Sequence, residues 1–225
     1  RWLFLFCLLN YTRLGTQPRT PMDPSRFIAS ATNPSAWYTH ADGLLRNARM
    51  LYDDSYAKMK ELTKAPEDQE EEVVWRVASL QRSSLLLAGL ALENALKGHL
   101  IDTRPGDMEV QMRVDGNGNP SGAELKTIGG SDIDHDLRTL AHAADIFDPE
   151  ANPLDDEINH DDLEAVLEHL THVVRWRGRY PEPLEFEDRE ELMDVVPEDS
   201  YEFVQHTFRV ARDLTLHLLP PRDEE

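Results

Sequence analysis

The sequence predicts an all-α protein: an up-and-down helical bundle carrying a small β-hairpin insertion. Three observations carry this. Ser83–Ile101, SSLLLAGLALENALKGHLI, is apolar at helical spacing around most of its circumference, the mark of a helix in the middle of a bundle. Further stripes of apolar residues at helical spacing flank it on both sides. Between two of them, Arg104–Gly130 loses the helical period and gathers Gly, Asn and Pro, which suits a hairpin.

The first long helix opens at Asn33-Pro34, a cap followed by a first-turn proline. Trp37, Ala41, Leu44, Leu45, Ala48, Leu51, Tyr52, Met59 and Leu62 mark its apolar face as far as about Ala65, where Pro66 breaks it. Glu67, Asp68, Glu70, Glu71 and Glu72 then load a new first turn with the negative charge a helix N-terminus favours. Val73, Val74, Val77, Ala78 and Leu80 lead straight into the central stretch, so one helix is expected from Glu67 to about Asp102.

In the insertion, Met108–Val114 and Ala123–Ile128 are the expected strands, with the turn over 116–122. Asp115, Asn117 and Asn119 imitate the start of a calcium loop, but Pro120 stands where glycine is required and Lys126 where the bidentate Glu belongs. The segment reads as a turn. His135-Asp136-Leu137 opens a shorter helix to Phe147, and a further helix runs from about Asp161 to Arg177, stopping at Gly178. The last helix follows Pro197 and ends near Leu219 at Pro220-Pro221. Residues 22–225 form a single domain on this reading. Residues 1–21 differ in composition, with the apolar run Trp2–Leu9, and read as a non-native or disordered leader.

The formal charge of −20 argues against broad, sequence-independent binding to nucleic acid, which needs a net basic surface, though not against a local basic cleft. Cys7 is the sole cysteine, so no disulfide can form within the chain, and a reducing cytoplasm is the expected setting. No phosphate-binding glycine loop, GxSxG elbow or cysteine nucleophile is present. His169 and His172 share a helix face near Glu168, but a third ligand cannot be placed and His160 falls in the preceding loop. No metal and no cofactor are expected, and no membrane partner.

Glu93 and Lys97 are spaced i,i+4 in the favourable order. They read either as a solvated stripe on a mostly buried helix or, with Asn94, as a tie to a polar loop from elsewhere. Leu92-Glu93-Asn94-Ala95-Leu96-Lys97-Gly98, His135-Asp136-Leu137 and Gly178-Arg179-Tyr180-Pro181 occur in that order. Together they resemble the HEPN (higher eukaryotes and prokaryotes nucleotide-binding) superfamily, whose nearest branch carries an E-x-x-x-K helix, an "HDL" helix start and an "RYP" exit. The likeness covers roughly Ser83 to Pro183, with a longer connection at Arg104–Gly130.

The resemblance implies a bundle that dimerises through helix faces, with RNA or a nucleotidyltransferase-like or other protein as partner. Ribonuclease members use an Arg-x4-6-His motif, which here falls on Arg212 and His217. The histidine would move protons at the ribose hydroxyl or leaving oxygen, and the arginine would steady the phosphate. Read from the residues alone, Arg212 instead pairs with Asp213 or Glu202, and His217 is a helix-terminal cation favoured by the dipole. Arg175, Trp176 and Arg177 form, with Arg179 and Tyr180, a basic and aromatic cluster that suits nucleic acid, or else arginines in the last turn of a helix that complement its dipole and pair with the many carboxylates. Glu93, Asn94, Lys97, His135, Asp136, Arg179 and Tyr180 are expected to join in one structural polar network. Two functions follow: a dimerising HEPN-like protein that binds a protein partner or nucleotide without catalysis, or a metal-independent ribonuclease of the toxin or phage-defence kind using Arg212 and His217.

Overall fold

The computed structural model describes residues 23–62, 66, 70–132, 135–148, 159–177 and 201–221. Among them the chain is mostly helical, with a small antiparallel sheet. The helices are α1 (Pro24–Ala31), α2 (Pro34–Leu62), α3 (Glu70–Thr103), α4 (Leu137–Ala143), α5 (His160–His172) and α6 (Tyr201–Leu218). A 3₁₀ turn at Pro105–Asp107 leads into β1 (Glu109–Val114), β2 (Pro120–Ile128) and β3 (Ser131–Asp132). The leader at residues 1–21, the "RYP" exit and the start expected for the last helix at Pro197 lie outside the described residues.

The central helix is α3. Leu92, Leu96, Leu100, Ala88, Ala91 and Ala95 are buried along it, and α2, α4, α5, α6 and the sheet all touch it. Small residues on α3 set how closely neighbours approach. A Cβ at Gly98 would lie 2.9 Å from the Tyr38 ring and 3.2 Å from Trp37 Cβ, so an alanine there would push the start of α2 or its side chains away. Gly98→Ala should lower the unfolding free energy by about 1–2 kcal/mol, the overpacking outweighing alanine's better helix propensity. A urea melt with an unchanged midpoint would contradict this docking.

Asn33 caps α2 through Ser35 N–H at 3.1 Å, as its sequence implies. The same signature at Asp23-Pro24 makes α1, which the apolar spacing does not reveal: Asp23 accepts from Ser25 N–H at 3.0 Å. The hairpin turn is tighter than expected, with Pro120 already in β2. The Asp115 carboxylate accepts from the N–H groups of Asn117 and Asn119, both at 2.9 Å, and these bonds hold it below its ordinary pKa. Calcium-loop chemistry has therefore become an Asx turn. A short third strand extends the sheet.

Two helix bounds and one helix type differ from expectation. His160 is the first residue of α5 and not part of a loop, because Asn159 supplies the cap to Asp162 N–H at 2.9 Å. The stretch Val173–Arg177 continues α5 as a π-helix. And α4 stops at Ala143 instead of reaching Phe147. Asp145 takes a left-handed φ of 56°, its N–H bonds the His142 carbonyl and Ile146 N–H bonds Ala141 O, while Ile146 is buried. That is a Schellman stop with aspartate in the usual glycine position. Among the described residues, no helix is long and apolar enough to cross a membrane.

Candidate functional site

The polar residues of α3 are not a solvated stripe. Glu93 is 5% exposed and Lys97 3%, because α2, brought in over Gly98, covers this part of α3. Lys97 Nζ donates to Glu93 Oε1 at 2.5 Å, and His135 Nδ1 lies 3.0 Å from Glu93 Oε2 and 3.1 Å from Oε1. Trp37 adds its ring 6.0 Å from the ammonium, at the outer reach of a cation–π contact. Two opposite charges removed from water are thus compensated by each other, by an imidazole and by an aromatic face.

The next two residues complete the junction. Asp136 Oδ1 accepts from Thr139 N–H at 3.1 Å and caps α4, while its Oδ2 lies 3.7 Å from Arg175 Nη2. Leu137 is buried in the core, and its N–H donates to Thr171 Oγ1 at 3.0 Å, whose own hydroxyl donates to Leu167 O at 2.8 Å. In three successive residues, His135 reaches α3, Asp136 reaches the π segment and Leu137 reaches α5. Asn94 does not join. Its Nδ2 bonds back to Leu90 O at 2.6 Å, and its side chain lines a groove beside α1. Arg179 and Tyr180 lie outside the described residues, so the network is Glu93, Lys97, His135 and Asp136 with Arg175.

Arg175 belongs to that structural junction as much as to a basic surface; the side chains of Trp176 and Arg177 are outside the described set. Arg212 Nε donates to Asp213 Oδ1 at 2.7 Å, and both side chains are partly exposed. His217 is exposed. Five residues turn a helix by about 140° beyond a full turn, and buried Leu214, Thr215 and Leu218 occupy the face between the two. Within one chain Arg212 and His217 therefore sit on opposite flanks of α6.

His217 does have a neighbour that local sequence patterns do not flag. His99, half-buried on α3, is close enough for the charge of His217 to act on it. Burial pushes the His99 imidazole below its ordinary pKa, Asp102 opposes this, and His217 and Arg104 add to it. Arg104 is itself paired with Asp145, and burial together with the charge of Asp102 pushes the Tyr38 phenol up to about 12. Residues 99 and 217 are far apart in the chain, so no spacing could have joined them.

Among the described residues, no group of three or more His, Cys, Asp or Glu side chains is arranged to hold a metal ion. His169 is buried with its ring edge-on to Phe203, the centroids 5.0 Å apart. No protein-family model, curated protein or solved structure matches this chain.

Proposed function

We propose that this chain is a HEPN-like helical module that dimerises and binds a protein partner or nucleotide without catalysis of its own. The observation that carries the reading is the arrangement of Arg212 and His217: the first is committed to Asp213, and the second lies around the helix from it. The Glu93–Lys97–His135 junction is satisfied internally, and its Glu93 and Lys97 are buried, which suits a structural tie between helices. Apolar surface for docking is supplied by α2 and α3, which pack along each other and leave Met50 and Trp75 largely and Val74 half exposed. Exposed tryptophan is a common anchor of protein interfaces.

One observation favours the ribonuclease alternative. His217 is open to solvent and close enough to a second histidine, His99, for their charges to act on one another, and the charge of Arg104 acts on His99 as well. Sedimentation velocity and an RNA assay in excess chelator separate the two. The non-catalytic reading expects a dimer at ~10 μM, a monomer for Trp75→Glu through a Kd raised at least ~30-fold, and uncut single-stranded RNA. RNA cleavage that is lost in His217→Ala would replace it with the ribonuclease.

A further inference from the structure

A surface groove of about 590 Å³ lies between α1 and α2, within the range of roughly 300–1,000 Å³ typical of small-molecule sites. Phe27, Ala31, Ala36 and Trp37 supply its apolar walls, and Arg26, His40 and Asn94 its polar groups. A second depression of about 360 Å³ shares Ala36 and His40 and continues along α2. The chain carries 43 Asp and Glu against 23 Lys and Arg, yet neither lining contains a carboxylate. Asp23, whose charge interacts with Arg26, lies outside both linings and accepts from Ser25 N–H to cap α1.

The aromatic wall is held in place before any ligand arrives. Trp37 Nε1 donates to Ala31 O at 2.9 Å, which fixes the indole between the two helices. Asn94 uses one N–H on Leu90 O and keeps its second N–H and its oxygen for another partner. A flat ring can lie against Trp37 and Phe27, gaining burial and stacking. An anionic group on that ring meets the guanidinium of Arg26 and the ring N–H of His40, both suited to charge-assisted hydrogen bonds.

We propose that this groove binds a small aromatic anion, a carboxylate or phosphate on a planar ring, with the ring on Trp37 and the anionic head between Arg26 and His40. The inference goes beyond the partner-binding function and holds whether or not the chain dimerises. The test is isothermal titration calorimetry of the full chain with 2-naphthoate, 2-naphthyl phosphate and the neutral 2-naphthamide. At least one of the two anions should bind at one per chain, about 10-fold or more tighter than the amide, and which of them binds identifies the head group. Arg26→Gln and His40→Gln should each weaken that anion about 10-fold, and Ala36→Phe, at an exposed position, should abolish binding by filling the groove. Far-ultraviolet circular dichroism identical to wild type establishes that each variant is folded. Equal affinity for the amide, indifference to Arg26→Gln and His40→Gln, or no heat with either anion would overturn the proposal.

Discussion

Glu93→Ala should lower the unfolding free energy by about 3–5 kcal/mol, among the largest losses available to a single polar substitution here. The cause is not the missing attraction alone. With Glu93 gone, Lys97 is left at 3% exposure, 6.0 Å from an indole ring and with its carboxylate partner removed, so its ammonium is no longer compensated. The His135 ring loses the same carboxylate. The pair therefore differs from the surface bridge Lys58–Glu61, whose side chains are 25% and 60% exposed and which water screens. A second variant isolates the cause. Glu93→Gln with Lys97→Met removes both charges and keeps the volume, and it should recover most of what Glu93→Ala loses. Guanidinium melts of the three proteins decide: if the double variant is no more stable than Glu93→Ala, the loss is due to packing rather than to an uncompensated charge.

Leu92→Asp should be more damaging still. Leu92 is fully buried in the core cluster, among residues of helices packed on several sides of α3. A carboxylate there enters a cluster of apolar side chains, and the ammonium of Lys97 on the same helix is bound to Glu93. Burying a charge without a partner costs several kcal/mol even when the group escapes by taking up a proton. Marginal stabilities of ~5–15 kcal/mol leave little reserve against that. The expected result is a chain that has lost its cooperative thermal transition at neutral pH, with near-ultraviolet circular dichroism flattened. A transition at the wild-type temperature would mean that Leu92 is not in the core.

Much of this architecture was legible because helix periodicity is a local signal. Leu92, Leu96 and Leu100 declare a buried face in α3 by their spacing, as Leu163, Val166, Leu167 and Leu170 do in α5. The turn chemistry of Asp115 was legible for the same reason. Spacing cannot say what lies on top of a helix, however. Glu93 and Lys97 would be written identically on a solvated stripe; what buries them is the approach of α2, permitted by the missing side chain of Gly98. Asp145 hid the end of α4 because aspartate in a left-handed stop leaves no glycine to read. α1 was missed because eight residues hold too little apolar pattern, although Asp23-Pro24 repeats the signature of Asn33-Pro34. His99 beside His217 and the groove at Trp37 belong to the same class: they arise where distant helices meet, and no window along the chain contains them.

The order in which the buried junction is assembled follows from its separations in the chain. Glu93 and Lys97 are four residues apart on one helix, whereas His135 is 42 positions from Glu93. Helical turns form in about a microsecond or less, well before distant elements dock. The two charges thus meet as soon as that turn exists, while water still solvates them. What the collapsing chain must later dehydrate is a local dipole rather than two separate ions. Loop-closure entropy falls on the partners brought from elsewhere, His135, Trp37 and the Asp136–Arg175 contact, so the helix arrives at the core with its own ion pair already formed.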